Sequence, residues 1–124
     1  MGHTPLHVAA EFANFCIVQY LTEGLIEQSQ DGPPYDNSVN PRNGAGRTPL
    51  HHAVFGYGNE CQERFDVLKH LLNICGDKNP SSTAPFYGCH TPLELAIFYG
   101  RKTIEKIISD ANEKYLFVQL LVIK

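Results

Sequence analysis

One tripeptide recurs through the chain at nearly even intervals. Thr-Pro-Leu stands at Thr4-Pro5-Leu6, Thr48-Pro49-Leu50 and Thr91-Pro92-Leu93, with separations of 44 and 43 residues. Histidine follows at once in two copies, as His7 and His51, and Glu94 takes its place in the third. Each copy then carries alanine at the same offset, as Ala9, Ala53 and Ala96, and a glycine shortly before the threonine, as Gly2, Gly46 and Gly88. Self-similarity at such a period is the mark of one supersecondary unit used several times, each unit burying its apolar face on its neighbours.

The motif is a helix start. Threonine is a good N-cap, because its hydroxyl can accept from a backbone N–H that has no partner in the first turn. Proline suits the first helical position, where its fixed φ helps and its missing N–H loses no bond. The glycine ahead marks a turn. Leu6, Ala9 and Ala10 then form a short apolar face, and the small alanines let a neighbouring helix come close.

A second apolar cluster follows each motif. It is Ile17, Val18 and Leu21 in the first copy and Ile104, Ile107 and Ile108 in the third. In the second copy Val67, Leu68, Leu71 and Leu72 stand about six residues later. The spacing is helical. Small residues lie between the two helices: Ala13, Gly100, or the run Gly56-Tyr57-Gly58. Each unit therefore reads as helix, tight turn and antiparallel helix, followed by a longer connection.

Gly-x-Thr-Pro-Leu-His-x-Ala, a small residue and an Ile-Val-x-x-Leu helix together resemble the ankyrin repeat. The resemblance covers about residues 2–24, 46–79 and 88–110. It implies an all-α solenoid of stacked antiparallel helix pairs, with β-hairpin or loop connections projecting from one edge. It also implies that Thr4, Thr48 and Thr91 start the repeats, and that His7 and His51 tie adjacent repeats by hydrogen bonds. Glu94 does not inherit that role.

The family period is about 33 residues, so the wider spacing predicts insertions. One spans about residues 25–45, where Ser29-Gln30-Asp31-Gly32-Pro33-Pro34 has the composition of a loop. A second is split between the turn around Asn59–Gln62 and the segment Pro80–Pro85. Both ends read as incomplete, since capping repeats present a polar outer face. Met1 leads straight into the motif, and the tail, residues 111–124, is strongly apolar from Tyr115 to Ile123. The tail reads either as a helix continuing the stripe of Ile104 through Ala111, Tyr115, Val118 and Val122, or as the edge of a longer array. The expectation is a fragment of a longer ankyrin array.

Hydrophobic residues make up 43% of the chain and charged residues 19%, which is enough apolar material for a core. The net charge of −3 disfavours nucleic acid, whose binders carry a basic stripe. No apolar run approaches the roughly 20 residues of a membrane helix. The four cysteines, Cys16, Cys61, Cys75 and Cys89, lack zinc-knuckle or redox spacing. With no leader at Met1, they predict reduced, mostly buried thiols in the cytoplasm or nucleus.

For partner binding, the resemblance points to exposed positions on the concave face made by hairpin tips and first helices. These are Glu11 and Phe12, Phe55 and Gly56, and Phe98 and Tyr99, with Tyr57 beside them and His3, Arg47 and His90 before each threonine. Aromatics at Phe12, Phe55, Phe98 and Tyr99 suit a ladder of interface anchors. They suit core filling equally well. His51-His52 with Cys61, or Cys89-His90, offers metal ligands without a recognised spacing. No phosphate loop or nucleophile elbow is present, since Gly44-Ala45-Gly46-Arg47-Thr48 lacks the required Gly-Lys ending. The sequence thus predicts a non-catalytic protein-interaction module or scaffold, with no cofactor and no metal, whose partner is another protein. The alternative is the targeting or regulatory ankyrin segment of a larger enzyme, channel or receptor.

Overall fold

The computed structural model describes residues 2–28, 41–56, 60–74 and 90–123, with the backbone alone over residues 114–123. Six helices follow in order: α1 (Pro5–Glu11), α2 (Phe15–Gln28), α3 (Pro49–Phe55), α4 (Gln62–Ile74), α5 (Pro92–Phe98) and α6 (Lys102–Ile123). No strand occurs among the described residues. The short helices α1, α3 and α5 pack side by side in one layer, and α2, α4 and α6 in a second. Each short helix also packs on the long helix that follows it. The architecture is a helical repeat solenoid.

Thr4, Thr48 and Thr91 are extended residues at the N-caps of α1, α3 and α5, with proline directly inside each helix. Each helix starts with a capping box, the third helical residue reaching back to the threonine N–H. His7 and His51 do this through Nδ1, at 3.2 and 3.0 Å, and Glu94 through Oε1, at 3.3 Å. The turn from α1 to α2 needs a left-handed residue. Ala13 takes it at φ 56°, where Gly100 stands in the third pair at φ 67°. A Cβ there costs roughly 1 kcal/mol relative to glycine.

Leu6, Ala9, Ala10, Leu50, Ala53, Val54, Leu95 and Ala96 fill the short-helix layer. Val18, Val67, Leu68, Leu71, Leu72, Ile104 and Ile108 join them from the long helices. Buried alanines on all three short helices leave room for the backbones to approach, as the sequence pattern predicts.

Two boundaries differ from the sequence reading. The composition from Leu25 onward predicts a loop, yet α2 continues to Gln28, because Leu25 packs half-buried on the core. At the far end of the same insertion, residues 41–47 are a folded turn: the Asn43 N–H donates to Arg47 O and the Gly46 N–H to Asn43 O, both at 2.9 Å. The apolar tail is not set off from the third repeat at residue 110. A single helix runs through it to Ile123, no glycine or proline interrupting it. Ala111 packs on the core. Tyr115, Val118 and Val122, and the segment Pro80–Pro85, lie outside the described side chains.

Arg64, in the first turn of α4, is buried in this fold without appearing in any apolar pattern. Its Nη1 donates to Ala53 O at 2.8 Å and its Nη2 to Glu11 O at 3.1 Å. The guanidinium thus bonds carbonyls of α3 and α1, near the ends of both helices, where helix dipoles favour a cation. Arg64→Met is expected to destabilise the chain by about 2–4 kcal/mol, since it leaves buried carbonyls without their charged donor. Urea denaturation measures this, and a loss below about 0.5 kcal/mol would show the guanidinium to be dispensable.

Candidate functional site

The seam between the first two helix pairs is built from histidines. His7 accepts the Thr4 N–H on Nδ1, so its proton sits on Nε2, which donates to Arg47 O at 2.8 Å. His51 repeats the arrangement one unit on, donating from Nε2 to His90 O at 2.8 Å. One neutral imidazole therefore both starts its own helix and holds the turn leading into the next. Glu94 reproduces the capping half only, because an ionised carboxylate has no proton to donate across a seam.

His52 forms the centre of this seam. The Asn43 Oδ1 accepts the Ala45 and Arg47 N–H groups at 2.9 and 3.0 Å, which fixes the direction of the amide. Asn43 Nδ2 then donates to His52 Nε2 at 2.9 Å, leaving the proton of His52 on Nδ1, 3.4 Å from Glu11 Oε1. The rings of His3 and His7 meet His52 edge-on at 4.8 and 4.9 Å, and Phe55 lies 4.7 Å from it. The Arg47 guanidinium covers the Phe55 ring at 4.9 Å.

Burial pushes His52 down to about 3, with the His7, His3 and Arg47 charges acting in the same direction. Burial likewise pushes His51 down to about 4, the bond to His90 O opposing it and Arg47 adding to it. His7 is lowered chiefly by burial. His7, His51 and His52 are neutral rings with fixed tautomers, suited to packing and hydrogen bonding.

The residues expected to face a partner are distributed over three places. Glu11 is half-buried in the seam against His52, and Phe55 is half-buried with its ring between His52 and Arg47. Phe98 and Tyr99 stand together at the end of α5, their rings perpendicular at 5.1 Å. Phe12 lines a shallow recess with Pro5, Val8, Ala9, Asn14 and Ile17 on the outer side of the first helix pair. His3 is exposed, Arg47 and His90 are half-exposed, and Tyr57 lies outside the described residues.

His52, Asn43 and Arg64 escaped the motif reading. His52 is legible only as a polar residue in the register of Val8 and Leu95. Asn43 falls in what reads as insertion, and Arg64 on a helix displaced by the enlarged turn. Cys16 and Cys61, expected to be buried, are free and exposed, because each stands beside a helix start on the solvent side, and Cys75 and Cys89 lie outside the described residues. Among the described residues, no three His, Cys, Asp or Glu side chains converge as a metal site requires. No helix among them is long and apolar enough to cross a membrane.

Comparison with known proteins points the same way as the helix-pair geometry. The family model for ankyrin repeats (three copies) matches residues 1–82. Those residues hold the first two motif copies, and the copy at Thr91 shares their Thr-Pro-Leu helix start and capping box. An ankyrin repeat domain from Acinetobacter baumannii AYE, known from its crystal structure, superposes with a TM-score of 0.64 at 25% sequence identity. The match covers 90% of this chain and 48% of that one, so the chain spans about half the length of its structural relative. No curated protein matches the chain. With its capped helix pairs stitched by motif histidines and the family model matched over most of its length, the chain belongs to the ankyrin repeat family.

Proposed function

We propose that the chain is a non-catalytic interaction module that binds a protein partner across the concave face, with Phe98 and Tyr99 as its anchors. Ankyrin repeats are generally protein–protein interaction modules, and nothing in the seam is arranged for chemistry. The observation that carries the anchor assignment is exposure. Phe98 is 79% and Tyr99 53% accessible, at the register positions that Phe55 and Gly56 hold in the second repeat. Bulky aromatics held edge-to-face in water lose little conformational freedom on binding, and such residues dominate interface energetics. His90 and Arg47, each directly before a motif threonine, supply the polar rim, with His3 at the first repeat.

Phe55 serves a different end: its ring supports His52 and carries the Arg47 guanidinium, so it orients the rim and makes a poor test residue. The informative variant is Phe98→Ala with Tyr99→Ala. It is expected to keep the parent's helicity and to melt within about 3 °C of it, because both rings are exposed. A photo-crosslinker placed at the neighbouring exposed Ile97 identifies the partner in native extract, and the double variant is expected to reduce that adduct at least tenfold. An adduct of undiminished yield would remove Phe98 and Tyr99 from the interface.

The same module acting as the targeting or regulatory arm of a larger protein is favoured by the apolar outer side of α1 and α2.

A further inference from the structure

Arginine stands directly before a motif threonine in the second copy alone, and His3 and His90 hold that place in the others. Its backbone is committed to the seam, the Arg47 N–H donating to Asn43 Oδ1 and the carbonyl accepting from His7 Nε2. With the base of the side chain fixed, the guanidinium lies over the Phe55 ring, 4.9 Å from its centroid. Stacking occupies the flat face of the group and leaves its edge of N–H donors open. Arg47 is half-exposed, and among the described residues its guanidinium makes no ion pair and no hydrogen bond. The two described carboxylates of the short helices are engaged elsewhere. Glu11 Oε1 stands 3.4 Å from His52 Nδ1, and Glu94 Oε1 accepts the Thr91 N–H and hydroxyl at 3.3 and 3.2 Å.

The neighbouring short helix, α5, carries Phe98 at the register position of Phe55, with Tyr99 beside it, both exposed. Packed helix axes lie roughly 8–10 Å apart, a distance that an extended chain crosses in about three residues. We propose that the Arg47 guanidinium is the docking point for a carboxylate, and that the partner's contacting segment is extended, with Asp or Glu about three residues from the large apolar side chain that meets Phe98 and Tyr99. This rests on the reading of Phe98 and Tyr99 as anchors and adds to it the partner's charge and spacing. The open edge of a guanidinium matches two coplanar oxygens, and a cation already held on a ring loses little freedom when it pairs. One guanidinium also balances the single charge of a carboxylate. A phosphoryl group brings about two negative charges, and Arg42, on the same turn, is engaged with the Gly46 carbonyl at 2.7 Å.

The probe is a displayed library of random linear peptides, selected on the whole chain. Enriched peptides are expected to carry Asp or Glu about three residues from a large apolar side chain. For the best of them, fluorescence polarisation is expected to show Arg47→Gln weakening binding at least about fivefold, and an acid-to-amide change in the peptide weakening it as much. The two changes together are expected to lose no more than either alone, because they remove one shared contact. Arg47→Lys keeps the charge without the paired donors and is expected to lose about threefold. With the peptide change on unaltered protein, it carries the test if Arg47→Gln does not fold.

Losses that multiply in the combined measurement, or enriched peptides without an acid, would overturn the proposal. If Phe98→Ala with Tyr99→Ala still abolishes binding of those peptides, the anchors stand and only the carboxylate site falls. Binding indifferent to both sets of changes removes both. A library that yields no binder also overturns the proposal, because an extended segment is then not what this face takes, and the crosslink at Ile97 reports separately on the anchors. Capture of a labelled single-stranded RNA, lost in Arg47→Gln, would assign the stacked cation to phosphate and overturn it as well.

Discussion

Acidification from pH 7 to pH 5 is expected to remove roughly 3 kcal/mol of folding stability, most of it from the histidine seam. His51 and His52 are held down to about 4 and about 3 in the folded chain, against 6.5 for an ordinary histidine. A group whose folded pKa is depressed in this way binds its proton more readily when the chain is unfolded. Its contribution is therefore complete above about pH 6.5 and falls as pH drops toward the folded value. His7 and His70, both lowered by burial, act in the same direction.

Geometry gives the same answer. A proton on His52 Nε2 would displace the Asn43 Nδ2 donor, and one on His51 Nδ1 would displace the Thr48 N–H that starts α3. Glu11 Oε1 stands 3.4 Å from His52 Nδ1, yet burial, with His7, His3 and Arg47 acting in the same direction, holds the ring low. Urea titrations at pH 7, 6 and 5 measure the effect, in a window above the ordinary carboxylate range. His52→Leu, which installs the residue type found at Leu95, is expected to flatten the profile by about half. A parent profile flat from pH 7 to pH 5 would show that the rings titrate normally.

Gly56→Ala is expected to destabilise the chain by roughly 3–4 kcal/mol, a very large effect for one methyl group. The backbone at Gly56 is ordinary, with φ −57°, so alanine is conformationally allowed there. The difficulty is space. A Cβ would overlap the Glu11 carbonyl oxygen and stand 2.9 Å from Arg64 Nη1. The oxygen in the way is the acceptor of Arg64 Nη2, and the Gly56 carbonyl itself accepts from Arg101 Nη2 at 3.0 Å. Relief of the overlap must therefore push the first repeat away from the second and loosen contacts on both sides. Gly24→Ala is the control. That glycine lies within α2 with nothing within 4 Å of its Cβ position, so alanine is expected to stabilise by about 0.5–1 kcal/mol. Denaturant midpoints for the two variants should move in opposite directions. Equal and small shifts would mean that the seam yields to accommodate a methyl.

The candidate site was less legible in the sequence than the fold was. The residue type at Phe98 and Tyr99 suggests an anchor, but whether a ring faces water depends on what packs beside it. Phe55 and Phe98 share one register position, and only Phe55 is drawn between a histidine and an arginine. Glu11 shares it too, and turns toward His52. Those outcomes depend on Arg47 and His52, which vary independently of the motif.

Helix starts, the pairing of helices and the two motif histidines follow from the sequence itself. They depend on contacts three or four residues apart, repeated until the stack is unavoidable: a threonine cap, a proline in the first turn, an imidazole reaching back to its own N-cap. His52, Arg64 and Gly56 were decided only by tertiary structure. Arg64 bonds a carbonyl 53 residues away, and Gly56 is required because that same carbonyl presses on it. His52 is neutral because two repeats close over it. A local pattern encodes where each helix begins, whereas the residue tolerated at a seam depends on the shape of the neighbour that arrives there.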